Sequence, residues 1–186
     1  MNLEQIIDKR HSVRSYADQP VEKEEIEKIC QAGLHSPSAR NRQPYRVIIV
    51  DQPDLIKKIA KTNDKINFWL QEAPLIFVIC VKMNSEGRDR NKFIDAGIML
   101  QNMMLMATAL GLGTCPCAAF SETRLAEVLE VPKGYLPVIC LPCGYPAKRS
   151  IGKLRKSKIY EKVVHLATHY KGKKVEDIFN WNKFIN

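Results

Sequence analysis

Leu75-Ile76-Phe77-Val78-Ile79-Cys80-Val81 is an unbroken apolar run. A strand with one wet face alternates apolar and polar residues, whereas a strand that never alternates is covered on both sides. Working outward, Asn91–Leu110 is apolar almost all round at helical length and is expected in the core. Leu136–Cys143 reads as a second buried strand, Tyr45–Val50 as a strand, and Cys115–Phe120 as a short one. Leu3–Lys9 is expected as a helix with Leu3, Ile6 and Ile7 inward, and Val21–Leu34 as another with Ile26, Ile29, Cys30 and Leu34 on one face. Leu55–Lys61 and Asp64–Gln71 look helical, as does Ser121–Glu130, with Ser121 at its cap and Pro132 beyond it. Strands alternate with helices, but helices also follow one another. The class is therefore α+β, with helices on both sides of a sheet.

The chain has 186 residues, enough for one domain over residues 1–186 with a core that needs no disulfide or metal. The segment from about 158 to 186 reads as a tail; its Val175–Phe184 stretch carries Ile178, Phe179, Trp181 and Phe184, which need a covering surface such as a partner subunit's. Lys and Arg total 29 against 20 Asp and Glu, a net charge of +9. That balance raises a nucleic-acid reading. Against it, the aromatics are not interleaved with the cations as stacking platforms, and no docking-helix motif occurs. Met1–Gln5 carries no basic stretch leading into an apolar one, so no secretory signal is expected. The uncharged stretch Ala96–Ser121 is interrupted by Gly111, Gly113 and Pro116 and is expected as a core helix and turn, not a membrane span. A cytoplasmic protein is the expectation.

Six cysteines, Cys30, Cys80, Cys115, Cys117, Cys140 and Cys143, then read as free thiols. Cys115-x-Cys117 is one residue tighter than a zinc-ribbon pair. Cys140-x-x-Cys143 stands 21 residues before His165-x-x-x-His169, against about 12–15 in finger-like sites. No metal is expected.

Three segments are rich in anion-binding groups. Arg10-His11-Ser12-Val13-Arg14 offers two forked donors and a hydroxyl. Ser36-Pro37-Ser38-Ala39-Arg40-Asn41-Arg42-Gln43-Pro44 is a polar loop with directional donors and acceptors. Gly144-Tyr145-Pro146 leads from a buried strand into Lys148, Lys153, Arg155 and Lys156. Each alone reads equally as a solvated surface. No Walker loop and no G-x-G-x-x-G occurs.

Taken together with Ala109-Leu110-Gly111-Leu112-Gly113-Thr114-Cys115, these segments resemble, in order and spacing, the nitroreductase family of flavin-dependent oxidoreductases. The resemblance implies a three-layer α+β fold with a central, mostly antiparallel sheet flanked by helices. It also implies a homodimer with one FMN in each of two sites at the subunit interface. Arg10, Ser12 and Arg14 match positions that hold the FMN phosphate, ribityl chain and pyrimidine edge, and His11 one that adds backbone and ring contacts. Pro37, Ser38, Ala39 and Asn41, with Gln43, match a loop that reaches the flavin from the other subunit. Asn67 matches a flavin-contacting asparagine. Pro116, Cys117, Ala118 and Ala119 match the segment facing the isoalloxazine, where a backbone N–H meets the hydride-accepting nitrogen. Lys153 and Arg155 match the phosphate clamp, and the Trp181 region resembles tails that pack on the partner. Many members carry a glutamate where this chain has Ala118, which bears on substrate subclass.

The implied activity is hydride transfer from NADH or NADPH to FMN, then reduction of a nitroaromatic, quinone or similar small oxidant, in ping-pong order. The cofactor carries the redox step, so no catalytic acid or base is expected. Dehalogenation and flavin fragmentation are other chemistries the same cofactor supports. Cys115 and Cys117 near the flavin are expected as core thiols, or as thiols one layer behind its direct contacts, with a redox-active role the alternative, because the sequence shows no basic neighbour to lower their pKa.

Overall fold

A computed structural model describes residues 1–63, 65–83 and 90–147. Helix α1 (Leu3–Lys9) starts in a capping box: Asn2 Oδ1 accepts from Gln5 N at 2.9 Å, and Gln5 Oε1 accepts from Asn2 N at 3.1 Å. Helix α2 (Lys23–Leu34) begins two residues later than the periodicity suggests, because Glu22 and Glu25 form its own box. Strand β1 (Tyr45–Val50) leads to α3 (Pro53–Ala60), which opens on a proline in its first turn. Lys65–Glu72 is 3₁₀ rather than α-helical, kinked at Asn67. Strand β2 (Leu75–Lys82) precedes α4 (Arg90–Ala109). Strand β3 is only Gly113–Thr114. The Cys115–Phe120 strand expected from sequence is replaced by isolated pairings of Cys117 and Phe120, since Pro116 interrupts the ladder. Helix α5 (Glu122–Val128) is capped by Ser121, and β4 spans Tyr135–Gly144.

The sheet order is β1-β2-β4-β3, antiparallel throughout. The Leu75–Val81 run behaves as its composition requires. Ile76, Val78 and Cys80 enter a cluster with Ile56, Ile59, Trp69 and Leu125 on one face. Leu75, Phe77, Ile79 and Val81 enter a second cluster with Ile29, Met99 and Met103 on the other. The sheet is thus sandwiched, with α3, the 3₁₀ segment and α5 on one side and α2 and α4 on the other.

Three sequence expectations need correction. Helix α1 buries no residue: Leu3 is 64% exposed and Ile7 53%. Leu34, assigned to the inner face of α2, is 57% exposed. Helix α4 is not enclosed all round, since Ile94 and Ile98 face outward while the charged Lys92 and Asp95 are buried. Leu3, Ile7, Leu34, Ile94 and Ile98 are apolar positions that the sheet of this chain does not cover.

Candidate active site

The Arg10–Arg14 segment does not hang free at the surface. Ser12 pairs in parallel with Thr114, and Val13 N donates to Thr114 O at 3.0 Å. Further on, Tyr16 pairs with Pro146, Ala17 N donates to Tyr145 O at 2.8 Å and Ala147 N to Ser15 O at 3.1 Å. The buried Tyr16 hydroxyl donates to Val13 O at 2.8 Å. The segment therefore acts as an extra edge to the sheet beside β3. Gly113 makes this approach possible, because a Cβ there would lie 2.5 Å from Val13 Cγ2.

This corner gathers cations. The Arg14 guanidinium carbon lies 5.9 Å from the centroid of Trp69, a buried indole on the 3₁₀ segment. Among the described residues neither Arg10 nor Arg14 has a carboxylate partner. Cys115 does have basic neighbours, contrary to the sequence expectation. Burial nevertheless dominates and pushes its thiol above the ordinary range, against the pull of Arg14, the Ser12 hydroxyl and Arg10. Cys115 is thus a core thiol with cations beside it. His11 is exposed, its Nδ1 2.9 Å from Lys9 O.

The segment Pro116–Ala119 runs on from the same corner. Cys117 exchanges both backbone bonds with Cys140, at 2.8 and 2.9 Å, and its Sγ donates to Asn63 Oδ1 at 3.3 Å. Its side chain is buried, while Pro116, Ala118 and Ala119 are exposed. Asn67, half-buried, sits at the kink two residues before Trp69.

The Ser36–Pro44 loop is built by other means. Ala39 N donates to both carboxylate oxygens of Asp95, at 3.1 and 3.2 Å. Asn102 Nδ2 donates to Ser36 Oγ at 2.9 Å, and Gln43 N to Ser38 Oγ at 3.0 Å. Arg40, Asn41 and Gln43 all have positive φ, at 55°, 53° and 46°. Asparagine tolerates that region, but arginine and glutamine adopt it only under constraint.

Structure thus brings the predicted site residues together in two groups, not one. The loop adjoins Tyr45, which is in register with Val81 and through it Leu136. The arginine segment adjoins Thr114, in register with Cys143. Leu136 and Cys143 stand at opposite ends of β4, and β1 and β3 are the two edges of the sheet. With about 3.3 Å per residue and about 4.8 Å per strand, the corners are roughly 25 Å apart. Lys153, Arg155 and the 158–186 tail lie outside the described residues. Trp69, Asn63 and Asp95 are not marked by any local motif; for Asp95 the signal was present, as the one carboxylate between Arg90 and Leu110, in a largely apolar stretch.

Among the described residues no group of three or more His, Cys, Asp or Glu side chains could hold a metal, and no helix is long and apolar enough to cross a membrane. A model of the nitroreductase family matches residues 7–63 and 60–145. An FMN reductase [NAD(P)H] of Bacillus subtilis is 34% identical over 77% of this chain and 66% of its own length. A putative NADH dehydrogenase/NAD(P)H nitroreductase of Methanothermobacter thermautotrophicus is 29% identical over 80% and 79%. The crystal structure of a nitroreductase family protein from Clostridium difficile 630 superposes with a TM-score of 0.78, at 28% identity, covering 99% of this chain and 100% of that one.

Proposed function

The chain belongs to the nitroreductase family, and from that premise we propose that it is an FMN-dependent oxidoreductase driven by NADH or NADPH. One observation carries the reading. Ser12 and Thr114 pair, which gathers at one corner the Pro116–Ala119 segment and two arginines that have no carboxylate partner among the described residues. This donor set fits FMN. Forked guanidinium groups and a hydroxyl match a phosphate and a polar ring edge, and the exposed Ala118 and Ala119 leave a small-residue surface for a flat ring. When bound, FMN supplies the chemistry of accepting hydride from the nicotinamide and passing electrons to a nitroaromatic, quinone or similar small oxidant.

The residues of the chain bind and orient. The contact with the Trp69 ring biases Arg14 toward this corner, where its charge would meet negative charge developing on the flavin ring. Pro116 has no N–H and that of Cys117 is committed to Cys140 O. The backbone donor available to the hydride-accepting nitrogen is therefore that of Ala118 or Ala119. Lys153 and Arg155 complete the phosphate clamp in this proposal. No side chain is asked to act as acid or base.

The proposal includes a homodimer with FMN at the interface. Two corners roughly 25 Å apart cannot close on one flavin within a chain, but two chains can each contribute one. Leu3, Ile7, Ile94 and Ile98 lie on α1 and α4, helices in contact with each other, and a second copy would cover them. All six cysteines are free, which fits a cytoplasmic setting. The test is the visible spectrum. Purified protein is expected to be yellow, to bleach with NADPH without air, and to regain colour with a quinone. A colourless protein that neither takes up FMN nor oxidises NAD(P)H in its presence contradicts the proposal. Parallel double-reciprocal lines are expected for ping-pong order; intersecting lines contradict it.

A further inference from the structure

Asp95 is 5% exposed, the one carboxylate on α4, and both its oxygens accept from one backbone N–H, that of Ala39. Seven residues on, Asn102 lies on the same face of α4, since seven residues make two turns, and it grips Ser36. Just beyond these anchors the chain passes through three left-handed residues, Arg40, Asn41 and Gln43. Such a run persists only where its surroundings over-determine it. Burying a carboxylate is costly unless it is well bonded, and a hydrophobic residue would serve the core better.

We propose that Asp95 is a positioning residue for the cofactor site: with Asn102, it clamps the Ser36–Pro44 loop in the strained shape that meets the flavin of the partner subunit. This rests on the FMN reading above. Asp95 touches neither cofactor nor substrate; it acts through the Ala39 backbone. The strain in the loop is the expected mark of such pre-organisation. A relaxed loop would place Ser38 and Asn41 in many orientations, and the cofactor would have to order them on binding.

The test titrates FMN into apo-dimers of wild type, Asp95→Asn and Asn102→Ala, with thermal melting of each and the visible circular dichroism of FMN-saturated protein. Asn keeps the size of Asp but loses the charge-assisted bond. Asp95→Asn is expected to weaken FMN binding roughly tenfold or more, and Asn102→Ala roughly fivefold. The flavin dichroism is expected to change even at saturation, well below the melting temperature. Should Asp95→Asn fail to fold, Asn102→Ala carries the same test through the other anchor. A lowered melting temperature with unchanged FMN affinity and dichroism makes Asp95 merely structural and overturns the inference. Failure of the wild type itself to bind FMN overturns the functional reading and this inference with it.

Discussion

The two corners of the candidate site are built by opposite means. The Arg10–Arg14 corner is held by backbone pairing to β3 and by burial, with Val13 and Tyr16 in the core and Gly113 allowing close approach. Its functional groups are side chains. The Ser36–Pro44 corner is held by side chains reaching out from α4, and its backbone is strained. The first is an extension of the sheet and the second a shape imposed on a loop. They should therefore fail differently: the first by loss of charge or packing, the second by relaxation.

The largest effect is expected at the first corner. Arg14→Ala removes a charge-assisted donor and should weaken FMN binding roughly 100-fold, read by flavin titration. Gly113→Ala attacks the packing instead. Its Cβ would collide with Val13, so a stability loss of about 1–3 kcal/mol in chemical denaturation is expected, with FMN affinity falling as Ser12 moves off Thr114. Alkali should act on this corner too. Burial pushes up the thiols of Cys115 and of its neighbour on β4, Cys143, the latter to about 12; at the far end of the sheet, opposite Arg46, it pushes that of Cys80 to about 11. Folded thiol pKa values above the unfolded value mean stability that is full below about pH 9 and lost as pH rises toward 11–12. The slope is up to roughly 1.4 kcal/mol per pH unit per thiol. Denaturation midpoints at pH 8 and pH 10.5 check this, and equal midpoints would count against it. The smallest effect belongs to the second corner. Arg40→Gly relieves a left-handed residue and should stabilise the apo-protein by about 1 kcal/mol while weakening FMN binding slightly, the signature of strain that serves the site.

The same contrast explains what the sequence disclosed. Buried strands and α4 were legible because Leu75–Val81 and Leu136–Cys143 are continuous apolar runs, and the sandwich they form is the one observed. The two arginine-and-loop motifs were legible through their resemblance to a family. What the sequence did not disclose was which residues meet. Ser12 beside Thr114, Arg14 over Trp69 and Ala39 on Asp95 join positions far apart in the chain, and no local periodicity records them. The inward faces assigned to Leu3, Ile7 and Leu34 were misplaced because periodicity marks an apolar face without naming what covers it. The basic surroundings of Cys115 were invisible for the same reason: its cations come from the other end of the chain.

The central claim is that each FMN is gripped by one corner from each of two chains. Subunit mixing tests it directly. Arg14→Ala spoils the first corner, and Asn41→Asp spoils the second by setting a carboxylate against the ring at a position that keeps its left-handed backbone. Each variant is examined at an FMN concentration where it is almost entirely apo, then unfolded and refolded together with the other. If the corners come from different chains, heterodimers contain one intact site and one doubly spoiled site. Random mixing should restore FMN binding and NAD(P)H oxidation at roughly a quarter of all sites. A mixture that binds no more FMN than its parents, while size and subunit exchange confirm heterodimers, would contradict the account.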